Sequence, residues 1–309
     1  MIKTFVFQMV LGVFSSYGIT MGAHRLWAHK SYKAKLPLKI ILAFFMSLSF
    51  VNDIFTWARD HRVHHKFSET DADPHNAKRG FFFSHCGWLM CKKHPDVQNI
   101  GGKLSFDDLR ADKVVMFHKK YYVFLMVPCT FIIPTLIPYY YWGENSLMCF
   151  YMTLFRYVLT INLVWSLNSV SHIYGTRPFD KNTAATEQDF MKLSCLGEGF
   201  HNYHHTFPWD YKASEYGNDW RNSSTYFINI FARIGWAYDL KTASREMILK
   251  RVLRTGDGTY DDIDEIKTKF MPTNDPLVPQ YWGWDDNHIS EEERRHVEIS
   301  NGPLAHNYG

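Results

Sequence analysis

The sequence predicts a mainly α-helical protein: a polytopic transmembrane helical bundle with a cytosolic helical cap that carries a histidine-rich di-metal site. Three observations predict this fold. Three apolar segments reach the ~20 residues that a helix needs to cross ~30 Å of hydrocarbon. Aromatic residues are abundant, with 24 Phe, 18 Tyr and 10 Trp, which is typical of proteins with rings at membrane interfaces. Nine histidines fall into a few tight groups.

The predicted spans cover residues 4–23, 121–142 and 145–171. The second contains three prolines that must kink it, and the third contains a single charge, at Arg156. The first lacks the basic start and cleavage site of a signal peptide, so it is predicted to be a retained span. The apolar stretch Ile40–Asn52 is too short to span and predicts a buried or interfacial helix.

Charge and cysteine content narrow the class of protein. A net charge of +3 is too small to indicate nucleic-acid binding. The five cysteines form no C-x-x-C pair, which predicts reduced thiols in a chain that faces the cytosol or lies in the bilayer.

Basic residues orient the spans, because cytosolic flanks are rich in Lys and Arg. They cluster after the first span, before the second and after the third, whereas the turn Gly143–Glu144 is not basic. The second and third spans therefore form a hairpin with a lumenal tip. This topology places all nine grouped histidines on the cytosolic side, close to the membrane surface.

The spacing of these histidines predicts a metal site, since imidazole is a common ligand for transition metals. One pair has the pattern H-x-x-x-x-H, two triplets have the pattern H-x-x-H-H, and one histidine stands alone. In chain order they are His24, His29, His61, His64, His65, His172, His201, His204 and His205.

Helical geometry brings most of these side chains together. Residues three and four apart share a helix face, so each triplet can converge if the ranges Trp57–Lys66 and Phe200–Thr206 are helical. His24 and His29 would be roughly 140° apart on an ideal helix and need a local distortion or a helix end. Nine ligands exceed the four of a structural zinc site and suit two ions. The spacing alone fits iron as well as zinc.

The motifs around these histidines resemble those of the integral-membrane acyl-CoA desaturases, in particular the stearoyl-CoA Δ9-desaturase-like enzymes of animals. The similar motifs are AHRLWAH (23–29), RDHRVHHKFSETDADPHN (59–76), RGFFFSHCGW (79–88), NSVSH (168–172) and GEGFHNYHHTFPWDY (197–211). The resemblance extends from about Thr4 to Gly258, so residues 1–258 are predicted to be the desaturase domain.

The resemblance implies an oxidoreductase of the endoplasmic reticulum membrane that inserts a cis double bond, at Δ9, into a fatty acyl-CoA. It implies two irons that activate O₂, with electrons supplied by NADH through cytochrome b5 reductase and cytochrome b5. The nine histidines would be the metal ligands, and Asn168 would reach one metal through water. The residues that would hold the acyl-CoA are Asn52, Arg59, Asp60, Lys92, Lys93 and Trp165.

The sequence also departs from the family pattern. The family generally has four spans, so the first span of the first hairpin is expected to be missing, and a truncated, inactive isoform is an alternative. Val51 and Val164 stand where polar residues are common, and Gly12 and Ser16 are small residues near the expected end of the acyl tunnel. These differences predict an altered tunnel shape. Residues 259–309 are polar and predict a mostly disordered extension, with a short helix around Ile289–Val297.

Two other functions use the same residues. A histidine-box hydroxylase would insert oxygen at the same irons, although the GEGFHNYHHTFPWDY motif favours the desaturase. A metal transporter would place its ligands within the spans near the midplane. The grouped histidines lie instead at or beyond the span ends, which argues against transport.

Overall fold

The computed structural model describes residues 1–217, 219–261 and 279–302, and over these ranges the protein is mainly α-helical. The α-helices are α1 (Ile2–Tyr17), α2 (Leu36–Ser47), α3 (Ile54–Lys66), α4 (Phe81–His85), α5 (Pro95–Asn99), α6 (Asp107–Ala111), α7 (Lys113–Lys120), α8 (Tyr122–Val127), α9 (Ile133–Trp142), α10 (Ser146–Ile173), α11 (Asp189–Ser194), α12 (His201–Thr206), α13 (Ser223–Arg233), α14 (Arg245–Thr255) and α15 (Glu291–Arg295). Two π-helices (Gly18–Ala28 and Pro128–Ile132) and three short 3₁₀ turns (Ala77–Arg79, Gly87–Leu89 and Gly101–Lys103) complete the helical elements.

Three continuous helical stretches in the described residues are long and apolar enough to cross a membrane: Ile2–Ala28, Tyr122–Trp142 and Ser146–Ile173. They confirm the three predicted spans. The second is divided at Pro128, where a π-helix joins α8 to α9, as expected from the prolines. Helix α2 has 12 residues and confirms the short apolar helix, but it begins at Leu36 and ends at Ser47 instead of covering Ile40–Asn52.

The ends of the three spans that were predicted to share a side of the membrane lie at the same end of the bundle. The Thr4 hydroxyl donates to Oε2 of Glu144 at 2.8 Å, and the indole N–H of Trp142 donates to the same hydroxyl at 3.0 Å. The start of α1 therefore lies beside the turn between α9 and α10. The other ends of all three spans lie together at the opposite end of the bundle, where the histidines are. Which side of the membrane this end faces stays a prediction.

The single charge in the third span, on Arg156, is buried and is hydrogen-bonded by three of its nitrogen atoms. The Arg156 guanidinium donates to the carbonyl of Leu48 at 2.9 Å and to that of Thr130 at 2.6 Å. Its Nε donates to the Gln8 side chain at 3.2 Å. Charged groups at membrane depth persist when backbone and side-chain acceptors replace water, so Arg156 links α10 to α1, to the end of α2 and to the π-helix of the second span.

The first span ends in an 11-residue π-helix, Gly18–Ala28. Because π-helices bond residue i to residue i+5, the His29 N–H donates to the carbonyl of His24 at 3.0 Å. This places the two histidines on one face and is the local distortion that the sequence required. A Cβ at Gly18 would lie 2.1 Å from the backbone nitrogen of Met46, so only glycine allows α2 to pack this closely.

The cap is built from short helices and two small antiparallel sheets. Strands β1 (Lys33–Ala34) and β2 (Ala237–Tyr238) form one sheet, and β3 (Leu240–Ala243) and β4 (Val297–Ser300) form the other. Helix α3 begins after Asp53, whose carboxylate accepts the N–H of Thr56 at 3.0 Å, which is a standard N-cap.

The end of the chain differs from the expected disorder. Residues 279–302 contain α15 and β4, and Tyr281, Ile289 and Val297 are buried in the second hydrophobic core. For these residues the prediction of disorder is wrong, because aromatic and aliphatic side chains pack on the cap. The short helix lies within the predicted Ile289–Val297. The predicted disorder of residues 262–278 and 303–309 falls outside the described residues, and the domain boundary at 258 stays a prediction.

Candidate metal centre

The nine predicted histidines converge into two adjoining groups at the junction of the spans and the cap. The first group comprises His24, His29, His61, His65 and His204, with one ring nitrogen of each lying within 4.8 Å of all the others. The Nε2 atoms of His24 and His204 are 2.8 Å apart, those of His29 and His61 are 2.9 Å apart, and those of His65 and His204 are 3.1 Å apart.

The second group comprises His64, His172 and His205, again with ring nitrogens within 4.8 Å. His201 joins it, because its Nε2 lies 3.0 Å from Nε2 of His172 and its ring centroid lies 4.6 Å from that of His205. His172, which no spacing pattern supported, is thus brought to the site by the end of α10. The rings of His65 and His205 stack at 3.9 Å and join the two groups.

These nitrogen separations fit a bound metal ion. Two imidazole nitrogens at about 2.0–2.1 Å from one ion, with bond angles of about 90–109°, lie about 2.8–3.4 Å apart. The observed separations of 2.8–3.1 Å lie at the lower end of this range. The buried Nε2 of His205 also lacks a hydrogen-bond partner, as expected of a nitrogen that binds an ion.

Burial keeps most of these rings in the form that binds metals. It lowers the pKa of six of the nine imidazoles well below the usual value of 6.5: those of His29, His61, His65, His201, His204 and His205. Burial also opposes protonation of His64, but the carboxylates of Asp73 and Glu69 outweigh it and raise the pKa of His64. A metal ion at this ring therefore competes with a proton.

Four of the histidines have the second ring nitrogen close to a carboxylate or carbonyl oxygen. Nδ1 of His64 lies 3.0 Å from both oxygens of Asp73, and Nδ1 of His172 lies 2.9 Å from Oε1 of Glu69. Each acceptor fixes a proton on Nδ1 and leaves the Nε2 lone pair free, as is usual for metal-binding histidines.

The same arrangement recurs in the first group. Nδ1 of His24 lies 2.9 Å from Oε2 of Glu198, and Nδ1 of His29 lies 2.6 Å from the carbonyl oxygen of Trp282. Burial alone would raise the pKa of Glu198, but Arg25 and His24 hold it below the usual range. The Nε of Arg25 donates to Oε1 of the same carboxylate at 2.8 Å.

These oxygen acceptors were not predicted from the sequence. Glu69 and Asp73 lie within RDHRVHHKFSETDADPHN, and Glu198 lies within GEGFHNYHHTFPWDY, so acidic residues inside the histidine motifs were the available signal. His75, in the same motif, was also missed: its ring lies 4.3 Å from that of His64. Trp282 acts through its backbone carbonyl, for which sequence gives no signal.

Two cavities meet beside the histidine groups. One is lined mainly by apolar side chains together with His24, His61, His64 and His201. The other opens between α3 and α10. Trp57, His61, Val164 and Asn168 line both cavities, so the two cavities adjoin directly beside the imidazoles.

The predicted substrate residues gather around the second cavity. Asn52, Asp60 and Trp165 line it. Asp60 also pairs with Arg59, whose Nε donates to it at 2.9 Å, and with the ammonium group of Lys93. Lys92 is exposed next to Lys93. Asn168, predicted to reach a metal through water, lies where the two cavities meet.

Comparisons with known proteins agree with this arrangement. The family model described as "Fatty acid desaturase" matches residues 3–222. The chain is 53% identical to the "Acyl-CoA Delta-9 desaturase" of Acheta domesticus over 293 residues, which are 94% of this chain and 76% of the relative. It is 50% identical to the "Acyl-CoA Delta-12 desaturase" of Tribolium castaneum over 97% of this chain and 84% of the relative. It is 52% identical to the "Acyl-CoA Delta(11) desaturase" of Choristoneura rosaceana over 83% of this chain and 77% of the relative.

The chain therefore belongs to the fatty acid desaturase family. Its relatives are named acyl-CoA desaturases, which are oxidoreductases, and the chain is an enzyme of this class. The family resemblance, the helical fold and the spans expected from the sequence are thereby confirmed.

Proposed function

We propose that this protein introduces a cis double bond into a saturated fatty acyl-CoA in an O₂-dependent reaction at a di-iron centre held by the nine histidines. The proposed bond position is Δ9, and the proposed location is the endoplasmic reticulum membrane with the site facing the cytosol. Bound iron would supply the activation of O₂ and the removal of hydrogen from the acyl chain. Electrons would come from NADH through cytochrome b5 reductase and cytochrome b5.

One observation supports this proposal above the others: the apolar cavity is lined by members of both histidine groups, His24 and His61 from the first and His64 and His201 from the second. An acyl chain in this cavity would have one short segment of methylenes beside the imidazoles. Positioning of this kind can lower a reaction barrier by several kcal/mol. The protein would select the reacting carbons by the depth to which the chain enters.

Charged residues near the second cavity suit the coenzyme A end of the substrate. Coenzyme A carries several phosphate charges, and Arg and Lys bind phosphate through charge-assisted hydrogen bonds. Arg59 and Lys93 both lie against Asp60, which holds them at the edge of the cavity. We propose that they bind the phosphates, with Lys92 beside them, while Asn52 and Trp165 contact the start of the acyl chain.

The carboxylates around the histidines would fix which ring nitrogen carries the proton before substrate binds. Asp73 and Glu69 accept from Nδ1 of His64 and His172, and Glu198 lies 2.9 Å from Nδ1 of His24, so the Nε2 atoms would present lone pairs to the metals. Asn168, at the junction of the cavities, is proposed to hold a water molecule at one metal.

The relatives differ in the position at which they introduce the double bond. Relatives at 53%, 52% and 50% identity are named for Δ9, Δ11 and Δ12 reactions, so similarity does not choose among them. Val51 and Val164 line the second cavity, and Ser16 lines the first. These residues are the ones expected to decide whether the reacting carbons lie at Δ9 or at a position further along the chain.

The test is reconstitution of the purified chain with NADH, cytochrome b5, its reductase and saturated acyl-CoA substrates of several chain lengths. Products would be analysed by mass spectrometry with double-bond localisation. For the wild type we expect a monounsaturated product and about two irons per chain. In His205→Ala we expect loss of the product and loss of bound iron. The matched control is His296→Ala, which lies outside both groups and should keep product and iron.

Three results would contradict the proposal. A purified wild-type chain without bound iron would remove the di-iron centre. A hydroxylated acyl product would assign the related hydroxylase reaction instead. Iron without any acyl product, in a chain whose addition alters the activity of another desaturase, would favour the inactive-partner alternative.

A further inference from the structure

The C-terminal strap, defined here as residues 281–288, lies directly across one predicted metal ligand. Nδ1 of His29 lies 2.6 Å from the carbonyl oxygen of Trp282, and the N–H of Trp284 donates to the carbonyl oxygen of His29 at 3.0 Å. Gly283 stands between these two bonds. His29 is thus held on its side chain and on its backbone by the same short segment.

The strap is anchored on the helix that carries three other predicted ligands. Lys66, the last residue of α3, donates to Asp286 at 2.9 Å and to the carbonyl of Gln280 at 3.1 Å. The Arg62 guanidinium lies 4.6 Å from the ring of Trp282. Asp286 also accepts the N–H of Trp282 at 3.0 Å. These contacts fix the position of the Trp282 carbonyl relative to His61 and His65.

The chemistry of the bond determines what it does to His29. A carbonyl oxygen can only accept a hydrogen bond, so Nδ1 must carry the proton and Nε2 must hold the lone pair. Nε2 of His29 lies 2.9 Å from Nε2 of His61, within the first group. Acceptors of this kind set the tautomer and the ring direction of metal-binding histidines.

We propose that the C-terminal strap is a positioning element for the ion of the first histidine group, acting through the Trp282 carbonyl on His29. The strap lies beyond the residues 3–222 that the family model matches. The proposal rests on the di-iron function proposed above. It assigns to Gly283 and Asp286 a role in metal binding, although neither is a ligand.

A pair of matched glycine substitutions tests this role. A Cβ at Gly283 would lie 2.6 Å from the carbonyl oxygen and 2.9 Å from the Cα of His29, so Gly283→Ala must displace the strap from His29. A Cβ at Gly302 would meet nothing within 4 Å, so Gly302→Ala is the control. Neither glycine has the left-handed backbone that would strain an alanine.

The measurement is iron binding by the full chain, not turnover. Fe²⁺ would be titrated anaerobically into the metal-free protein by calorimetry, and iron per chain would be counted after desalting. We expect Gly283→Ala to bind one of two irons about 10- to 100-fold more weakly, as is typical when such an acceptor is lost. The other iron should bind as in the wild type and in Gly302→Ala.

The outcomes separate this inference from the proposed function. Wild-type protein that binds no iron would contradict the di-iron function itself. Wild-type affinity for both irons in Gly283→Ala, or an equal loss of both, would overturn the strap inference alone. If Gly283→Ala does not fold, Asp286→Asn, which weakens the anchor to Lys66, takes its place. Selective weakening of one iron would then support the inference, and unchanged binding of both would overturn it.

Discussion

Nδ1 of His24 lies 2.9 Å from Oε2 of Glu198, and both side chains are buried. The other carboxylate oxygen of Glu198 accepts from the buried Arg25 at 2.8 Å. One carboxylate therefore serves a predicted metal ligand and neutralises a guanidinium that has no access to water.

Substitution of this carboxylate should affect stability and metal binding together. Glu198→Gln leaves Arg25 without its counter-charge, and breaking a buried ion pair from one side costs about 3–5 kcal/mol. We expect a lower melting temperature and weaker iron binding at the first histidine group, measured by circular dichroism and metal analysis. The control is Glu246→Gln, which breaks the exposed pair with Lys250. An equal drop in melting temperature in both variants would contradict the prediction.

The two cavities should be separable by one substitution. Val164 lines both, so Val164→Phe is expected to block passage of the acyl chain. Desaturation of an 18-carbon substrate should fall at least about tenfold, roughly 1.4 kcal/mol, whereas bound iron stays at the wild-type level. Val158→Phe, on the exposed side of the same helix, should keep activity. Wild-type product yield in Val164→Phe would show that the acyl chain takes another path.

Removal of a proposed phosphate contact should weaken acyl-CoA binding without changing iron binding. Lys93→Met removes a cation at the edge of the second cavity, so we expect a higher KM for acyl-CoA and unchanged bound iron. The KM of the wild type should also rise with salt concentration more steeply than that of the variant, because salt screens charge interactions. Lys250→Met is the control on α14. A loss of iron in Lys93→Met would indicate a structural role for this lysine instead.

Stability in mild acid should depend on His118, which lies away from both histidine groups. Burial lowers the pKa of His118 from 6.5 to about 4, so between these pH values the unfolded chain binds a proton that the folded chain does not. The stability associated with the neutral ring is complete above pH 6.5 and is lost as the pH falls towards 4.

The comparison with His118→Gln isolates this effect. The free energy of unfolding of the metal-free wild type, relative to the variant, should fall by roughly 3 kcal/mol over this range. Denaturant unfolding at several pH values measures it, with the exposed His94→Gln as control. A difference between wild type and His118→Gln that is constant with pH would contradict the assigned pKa.

The spans and the meeting of the histidines were predictable because they follow from simple physical rules. Arg156 is the one charge in its span, and the prolines of the second span produce a break at Pro128. The triplets around His64 and His204 need only ordinary helical geometry to converge. Basic residues near the span ends also placed these groups at one end of the bundle.

Other features depend on backbone contacts that composition does not encode. The π-helix that aligns His24 with His29 is a hydrogen-bond register, and residue type does not determine it. The strap was expected to be disordered because charged residues dominate its neighbourhood. Its aromatic residues, Tyr281, Trp282 and Trp284, were the signal against disorder, since buried aromatic area favours packing.

The bond between His29 and Trp282 also orders events during synthesis of the protein. His24 and His29 leave the ribosome early, but Glu198 follows more than 170 residues later and Trp282 more than 250 residues later. Contacts so distant in the chain form only once the later segment has emerged. The nascent polypeptide consequently exposes His24 and His29 before Glu198 and Trp282 are available, so the predicted metal site can be completed only after Trp282 has emerged.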